Sequence, residues 1–315
     1  NGVKDLNEFE PAVFSDEAKY IKVFTPTNEY VKVYRNVFSQ SIYLSPRQLL
    51  KNKNGPAKFI GRFSSRTNWS TDRKTADDTQ YFNPAYTPVS DSNLISINAL
   101  FNQRIYFNKT SAVYALDYGY TDNKNKNLLT NGFEARNLIK NELHGRWNVT
   151  KQWTAEYFYT FGTKSNFSEL FANKNYFIRY ENHLPKITYQ YGSKFRVSIF
   201  YEYKQKINEF SITDTSVTDK MFYNKIGMES RLNLTQKGSI LAQLNYINID
   251  YSGQQNQTLQ YEMLEGLQNG INATWMLGIQ RNLSKHMQLN INYQGRTSEN
   301  APVIHIGNVQ IRAYF

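Results

Sequence analysis

Apolar and polar side chains exchange places at every second residue in stretch after stretch of this chain. A period of two belongs to β-strands with unlike faces, so it settles the fold class before anything else is weighed. Phe195, Val197, Ile199, Tyr201 and Tyr203 share one face, opposite Arg196, Ser198, Glu202 and Lys204, with Phe200 as the exception. The same pattern sets Trp153, Ala155, Tyr157, Tyr159 and Phe161 against Thr154, Glu156 and Thr160. It recurs in Ala112 to Tyr120, in Ile240 to Tyr246 and in Met287 to Tyr293. The chain reads as all-β and antiparallel.

Spacing between these segments narrows the class. Very short polar turns fall at 108–110, 150–152, 192–194, 236–238 and 284–285. Longer polar loops are expected near 70–92, 122–131, 163–175, 209–219 and 251–269, in strict alternation with the turns. A water-soluble sandwich has no reason to sort its links this way, whereas outer-membrane barrels carry short turns at one end and long loops at the other. The segments themselves run to ~10–16 residues, well beyond the ~5–6 of ordinary soluble strands. The reading is a transmembrane outer-membrane β-barrel of about 14 strands, with 12 to 16 as the range.

Thirteen strands are expected, near 30–44, 57–69, 93–107, 111–121, 133–149, 152–163, 175–191, 194–207, 219–234, 238–251, 270–283, 286–297 and 303–315. A fourteenth at Tyr20–Phe24, followed by a break at Thr25-Pro26-Thr27-Asn28, gives the even count usual for such barrels. The barrel then spans 20–315, and 1–19 is a linker segment. In 175–191 the apolar phase moves from Ile178, Tyr180 and Leu184 to Ile187, Tyr189 and Tyr191, which predicts a bulge at Pro185.

Composition fits once the faces are separated. Mean hydropathy is −0.63 although aromatic residues make up 15% of the chain. A barrel with a polar lumen and an apolar exterior averages to such a value. No run approaches the ~20 apolar residues of a membrane helix. With no cysteine, disulfides, thiolate metal sites and cysteine nucleophiles are excluded. The net charge of +11 raises nucleic-acid binding, but cations and aromatics segregate to opposite strand faces, which argues against base-stacking platforms and for no nucleic-acid partner.

If the aromatic and aliphatic faces meet lipid, the opposite faces line the lumen. The lumen set is then Lys58, Arg62, Arg66, Arg104, Asp117, Arg136, Lys140, Glu142, His144, Arg146 and Glu156 in the first half of the chain. In the second half it is Arg179, Glu181, His183, Arg196, Glu202, Lys204, Lys225, Glu229, Arg231 and Arg312. Both signs are interspersed with basic residues in excess, which suits a stiffening ion-pair network or an anion-preferring conduit. Trp147 and Trp153 flank the turn at 150–152, as interfacial aromatics do.

At the C-terminus Val309, Ile311, Ala313 and Phe315 share one face, opposite Asn308, Gln310 and Arg312. An amphipathic last strand ending in an aromatic resembles the signal by which outer-membrane barrels engage their assembly machinery, through an unpaired strand edge. More broadly, the chain resembles the C-terminal barrel of large outer-membrane proteins of the Bacteroidota type. The residues that carry this are Asn1–Glu10, Tyr261-Glu-Met-Leu-Glu-Gly-Leu267, Tyr293-Gln-Gly-Arg296 and Ile304–Phe315. The resemblance implies an anchor or subunit of a larger surface or export assembly, with outer-membrane lipid, the assembly machinery and other proteins as partners, and it supplies no reaction.

Asn1-Gly2-Val3-Lys4-Asp5-Leu6-Asn7-Glu8 fits the second half of a twelve-residue calcium loop. With Gly2 at position 6, Asn1, the Val3 carbonyl, Asp5 and Glu8 fall at 5, 7, 9 and 12, so Ca2+ is the one cofactor expected. The remaining ligands would precede Asn1, which implies that the segment belongs to a longer polypeptide. Catalysis is not expected. The four histidines, His144, His183, His286 and His305, belong to no nucleophile elbow, metalloprotease or P-loop motif. Two alternatives stand beside the anchor: a porin-like pore for small polar or anionic solutes, and a rim hydrolase using His183 and Glu181.

Overall fold

The structure, a computed structural model, describes residues 32–50, 54–76, 93–129, 132–210, 219–234, 238–253, 258–299 and 301–314. Among them thirteen strands form one antiparallel sheet in which every strand pairs with its neighbours in sequence. They are β1 (Tyr34–Leu44), β2 (Phe63–Thr75), β3 (Leu94–Phe107), β4 (Tyr114–Leu129), β5 (Gly132–Asn148), β6 (Trp153–Ser168) and β7 (Tyr176–Tyr191). Then come β8 (Phe195–Asn208), β9 (Lys220–Leu234), β10 (Gly238–Ser252), β11 (Gly270–Asn282), β12 (Met287–Ser298) and β13 (Ala301–Ala313). Three short α-helices sit in the described links, α1 (Arg47–Leu50) and α2 (Pro56–Ile60) between β1 and β2 and α3 (Thr258–Leu264) between β10 and β11, with one 3-10 turn at Ala172–Lys174 between β6 and β7. No described helix is long and apolar enough to cross a membrane.

Neighbour-to-neighbour pairing sends successive links to opposite ends of the sheet. One end, here the turn end, holds the link with α1 and α2 and the links after β3, β5, β7, β9 and β11. The other, the loop end, holds the link with α3 and those after β2, β4, β6, β8 and β12. The alternation of short and long links is less strict than the sequence predicts. Strands β4 and β5 continue to Leu129 and from Gly132, so the expected loop at 122–131 is a hairpin with only 130–131 between its strands. Likewise β6 runs on to Ser168. The Asp122–Leu128 stretch has no apolar face, yet its backbone stays in the ladder with β5, because strand pairing needs only backbone groups. At the turn end, residues 57–60 expected in a strand are helical instead, since Pro56 opens α2 and β2 begins only at Phe63.

Partners across a ladder share a face, so the register assigns each strand residue to one of two faces. Helix α3 marks one of them. Leu259, Met263 and Leu264 are buried against Tyr176, Ile178, Met221, Tyr223, Ile247, Ile249 and Tyr251. Glu262 pairs with Lys164 of β6. A seven-residue helix is ~10 Å long, whereas β6 to β10 laid flat would spread over ~19 Å. This face is therefore concave, and we call it inner. Pro185 produces no bulge: ladder pairing on the β8 side lapses at Leu184 and Pro185 and resumes at Lys186↔Phe200 in the same register. Pairing with β6 runs through Pro185 unbroken. The expected strand Tyr20–Phe24 and its turn lie outside the described residues, so the count there is thirteen.

Candidate functional site

The inner face carries two ionic clusters. In the first, Arg104 of β3 reaches over Gly119 of β4 to Glu142 of β5 at 2.8 Å and to Asp117 at 3.5 Å. A Cβ on Gly119 would lie 3.2 Å from the Arg104 guanidinium, so glycine leaves this passage open. Lys140 lies 3.2 Å from Glu142. His144 stacks on Phe158 with ring centroids 4.2 Å apart, and its Nδ1 is 2.9 Å from Asp117. Its Nε2 lies 3.5 Å from Glu156, within ion-pair distance but without a hydrogen bond.

In the second cluster, Glu202 of β8 takes Lys225 of β9 at 2.5 Å and Lys204 at 3.7 Å. Glu229 lies 4.0 Å from both Lys186 and Arg196. This cluster continues into α3, where the Glu265 carboxylate, just past the helix end, accepts Lys204 at 2.8 Å and Lys206 at 2.9 Å. Burial pushes the Glu265 pKa upward, but the two ammonium groups outweigh it and hold the carboxyl down at about 2. Lys206 also donates to the Met263 carbonyl, 3.0 Å away, which fixes the last turn of the helix.

Of the residues singled out from sequence, Arg66, Arg104, Arg136, Lys140, Glu142 and Glu156 lie on the inner face by register. So do Arg196, Glu202, Lys225, Glu229 and Arg231. Arg62 does not belong to a strand; it lies between α2 and β2. Arg179 and Glu181 are corrected: both face outward, because Tyr176, Ile178 and Tyr180 take the inner positions of β7 beside α3. Arg179 pairs outside with Glu209 at 2.9 Å. His183 faces outward too, its Nδ1 2.7 Å from the Tyr157 hydroxyl and its ring stacked on Tyr159. Val309, Ile311 and Ala313 face outward on β13, whereas Phe315 lies outside the described residues, as do Asn1, Val3, Asp5 and Glu8. Among the described residues no group of three or more His, Asp or Glu could hold a metal ion.

Sequence reasoning missed α3. Its signal was the spacing of Leu259, Met263 and Leu264, which a helix gathers on one side.

The outer face divides along its length. Towards the turn end, Leu116, Ile187, Ile199, Ile226, Leu244 and Ile311 lie bare, Leu244 at 55% exposure. Towards the loop end the same face gains charged and polar residues, with Asp122 and Lys124 on β4, Arg179 and Glu181 on β7, and Asn248 and Asp250 on β10. It keeps some apolar ones there: Ile97 and Ala99 of β3 are buried, and Phe167 of β6 and Ile271 of β11 are bare. On β7, β9 and β10 the inner face makes the opposite change, from the ionic clusters to the apolar seat of α3. Charge follows the same axis. By sequence, links at the turn end hold ten Lys or Arg and no Asp or Glu, and links at the loop end hold ten Asp or Glu and one Lys.

No family model matches the chain, and no curated protein matches it. Among solved structures it is similar to the translocator domain of the autotransporter NalP from Neisseria meningitidis, at 10% identity and TM-score 0.32, over 90% of this chain and 87% of that one. It is also similar to the β domain of the Bordetella autotransporter BrkA, at 8% identity and TM-score 0.32, over 90% and 98%. A third is the transport unit of the autotransporter AIDA-I from Escherichia coli, at 10% identity and TM-score 0.34, over 93% of each. Superpositions this loose carry no weight for function, which rests on the chain's own two faces.

Proposed function

We propose that this chain is an outer-membrane β-barrel that anchors, or forms a subunit of, a larger surface or export assembly, with no chemistry of its own. One observation carries the reading: the contiguous outer belt of bare Ile, Leu, Val and aromatic side chains near the turn end. Water does not tolerate an apolar belt of that extent on a monomer, whereas lipid requires it. Strands of up to 17 residues, at ~3.3 Å per residue and ~45° tilt, rise ~40 Å, beyond the ~25 Å of such a belt. The loop-end third then stands clear of the bilayer, where the outer face carries Asp122, Lys124, Arg179, Glu181 and Asp250.

Three further features support the anchor. Helix α3 packs into the loop-end mouth of the inner face, which favours a closed barrel over the solute pore. Among the described residues β13 pairs only with β12, so before the barrel closes its other edge offers backbone groups to assembly machinery. The resemblance of the chain's ends to Bacteroidota-type surface proteins supplies the larger assembly. Calcium at Asn1, Val3, Asp5 and Glu8 enters the proposal on spacing alone, to be tested by terbium luminescence. His183, engaged by two tyrosines on the outer face, gives a rim hydrolase no support.

Detergent-extracted protein is expected to migrate faster on gels unheated than boiled, and to stay insoluble without detergent. A chain that stays monodisperse in water alone overturns the reading. In planar bilayers the α3-filled barrel conducts little; a stable large conductance favours the pore instead.

A further inference from the structure

The link between β1 and β2 is the longest at the turn end, and neither the ion-pair network nor the anchor role uses it. Pro56 starts α2, and α1 and α2 meet where Gly61 passes Leu50, so close that a Cβ there would lie 3.3 Å from the Leu50 Cβ. Phe59 of α2 rests on Phe63 and Phe107, with ring centroids 5.5 and 5.7 Å away. Both partners belong to the outer face, so α2 sits on the side where the apolar belt ends.

Having reached that side, the link leaves its apolar groups bare: Leu49 is 84% exposed, and Phe59 and Ile60 are more than half exposed. The cations lie alongside. Arg47 donates to the Thr110 hydroxyl of the next turn-end link. Lys58 is exposed on α2 and makes no ion pair among the described residues. No acidic residue occurs anywhere in 45–62. Bare apolar side chains beside uncompensated cations are the two halves of an interfacial lipid contact: one enters the acyl boundary and the other meets the headgroups.

We infer that α1 and α2 form a foot that inserts Leu49, Phe59 and Ile60 into the leaflet at the turn end and holds anionic phospholipid headgroups with Arg47 and Lys58. This rests on the membrane reading, extending the belt sideways into the interface. Charge complementarity selects the occupant, since nothing acidic in the link repels a phosphate. Continuity of Phe59 with the outer-face ring pair selects the location.

Because the chain has no cysteine, single labels report cleanly. Leu49→Cys, Leu244→Cys and Asp250→Cys would each carry an environment-sensitive fluorophore in full-length protein folded into vesicles. The vesicles would be phosphatidylcholine alone or with about a quarter phosphatidylglycerol, each doped with brominated lipid as quencher. The Leu244 label should be blue-shifted and quenched, and the Asp250 label should read water. The Leu49 label should be quenched by bromines near the headgroup, more strongly with phosphatidylglycerol present. Adding Lys58→Gln should lower the ratio of inserted to free foot in phosphatidylglycerol vesicles by about fivefold, and leave it unchanged in phosphatidylcholine. A Leu244 label that reads water sinks the membrane reading itself. If Leu244 reads lipid while Leu49 reads water, or is blue-shifted without lipid quenching, the foot is overturned and the barrel stands. Insertion of Leu49 indifferent to phosphatidylglycerol and to Lys58→Gln overturns headgroup recognition.

Discussion

On β7, β9 and β10 the turn-end and loop-end halves are built from the same strands and treat their faces in opposite ways. In β10, Leu244 and Tyr246 lie bare on the outer face while Gln243 and Asn245 turn inward. Two residues later Asn248 and Asp250 are outside, and Ile247, Ile249 and Tyr251 are buried inside under α3. Backbone register is continuous through the change. On the membrane reading, what differs along these strands is what each face touches: lipid and a polar lumen below, water and a packed helix above. Alternation reports that each side meets a different medium, and not which medium it is.

The largest test of this contrast is a charge in the belt. Leu244→Arg should destabilise the folded barrel in vesicles by about 2–4 kcal/mol, the cost of a cation on a lipid-facing site near mid-bilayer. Denaturant unfolding followed by tryptophan fluorescence would measure it. A cost within error of zero would mean that the turn-end face meets water, and the contrast would fail.

Next in size is the seat of α3. Met263 is fully buried, so Met263→Ala removes its packing with the inner apolar cluster. The cost is about 2 kcal/mol, at the low end for such a truncation because a short helix can settle into the space. It should fall on α3 alone: hydrogen exchange in 258–267 should quicken while the strands near the turn end stay protected. Equal loss of protection throughout would mean that the two halves do not behave as separate layers.

This division also explains what the sequence revealed and what it hid. Strands were legible where a run of strict alternation lies within the belt, as in Phe195 to Tyr203 and Met287 to Tyr293. In β7 the apolar residues exchange faces between Ile178 and Ile187, which mimics a slip in register and suggested a bulge at Pro185. It also misassigned Arg179 and Glu181 to the lumen. The ladder shows that the surroundings changed while the strand did not. The expected loop at 122–131 is strand as far as Leu129 for a related reason: where polar residues occupy both faces, backbone pairing continues with no apolar residue to mark it. The ion pairs of Glu202 with Lys225 and of Arg104 with Glu142 join residues 23 and 38 apart in sequence, so only the register brings them together.

A smaller effect follows from Glu265. Its carboxyl, held down at about 2 by Lys204 and Lys206, contributes to docking of α3 above the ordinary glutamate range near 4.5. That contribution is lost as pH falls from there towards 2, because the undocked carboxylate takes up protons first. Protection factors of the α3 amides, with the intrinsic pH dependence of exchange divided out, should therefore fall below about pH 4, and Glu265→Gln should flatten this acid limb and lower protection at neutral pH. If the variant kept the full acid response, the pairing would not be what holds the helix.

The smallest expected effect decides where the boundary runs. Asn248 lies on the same outer face as Leu244, four residues along β10, in the half assigned to water. Asn248→Arg should cost less than about 1 kcal/mol in the vesicle assay used for Leu244→Arg, since the penalty for a cation fades at the interface. Its opposite across the ladder is Asn224 on β9 and not another cation, so no like charge adds to the cost. A penalty as large as that of Leu244→Arg would place Asn248 inside the bilayer. Lipid would then extend up to the polar outer residues, and the apolar seat of α3 would need a cause other than the change of medium.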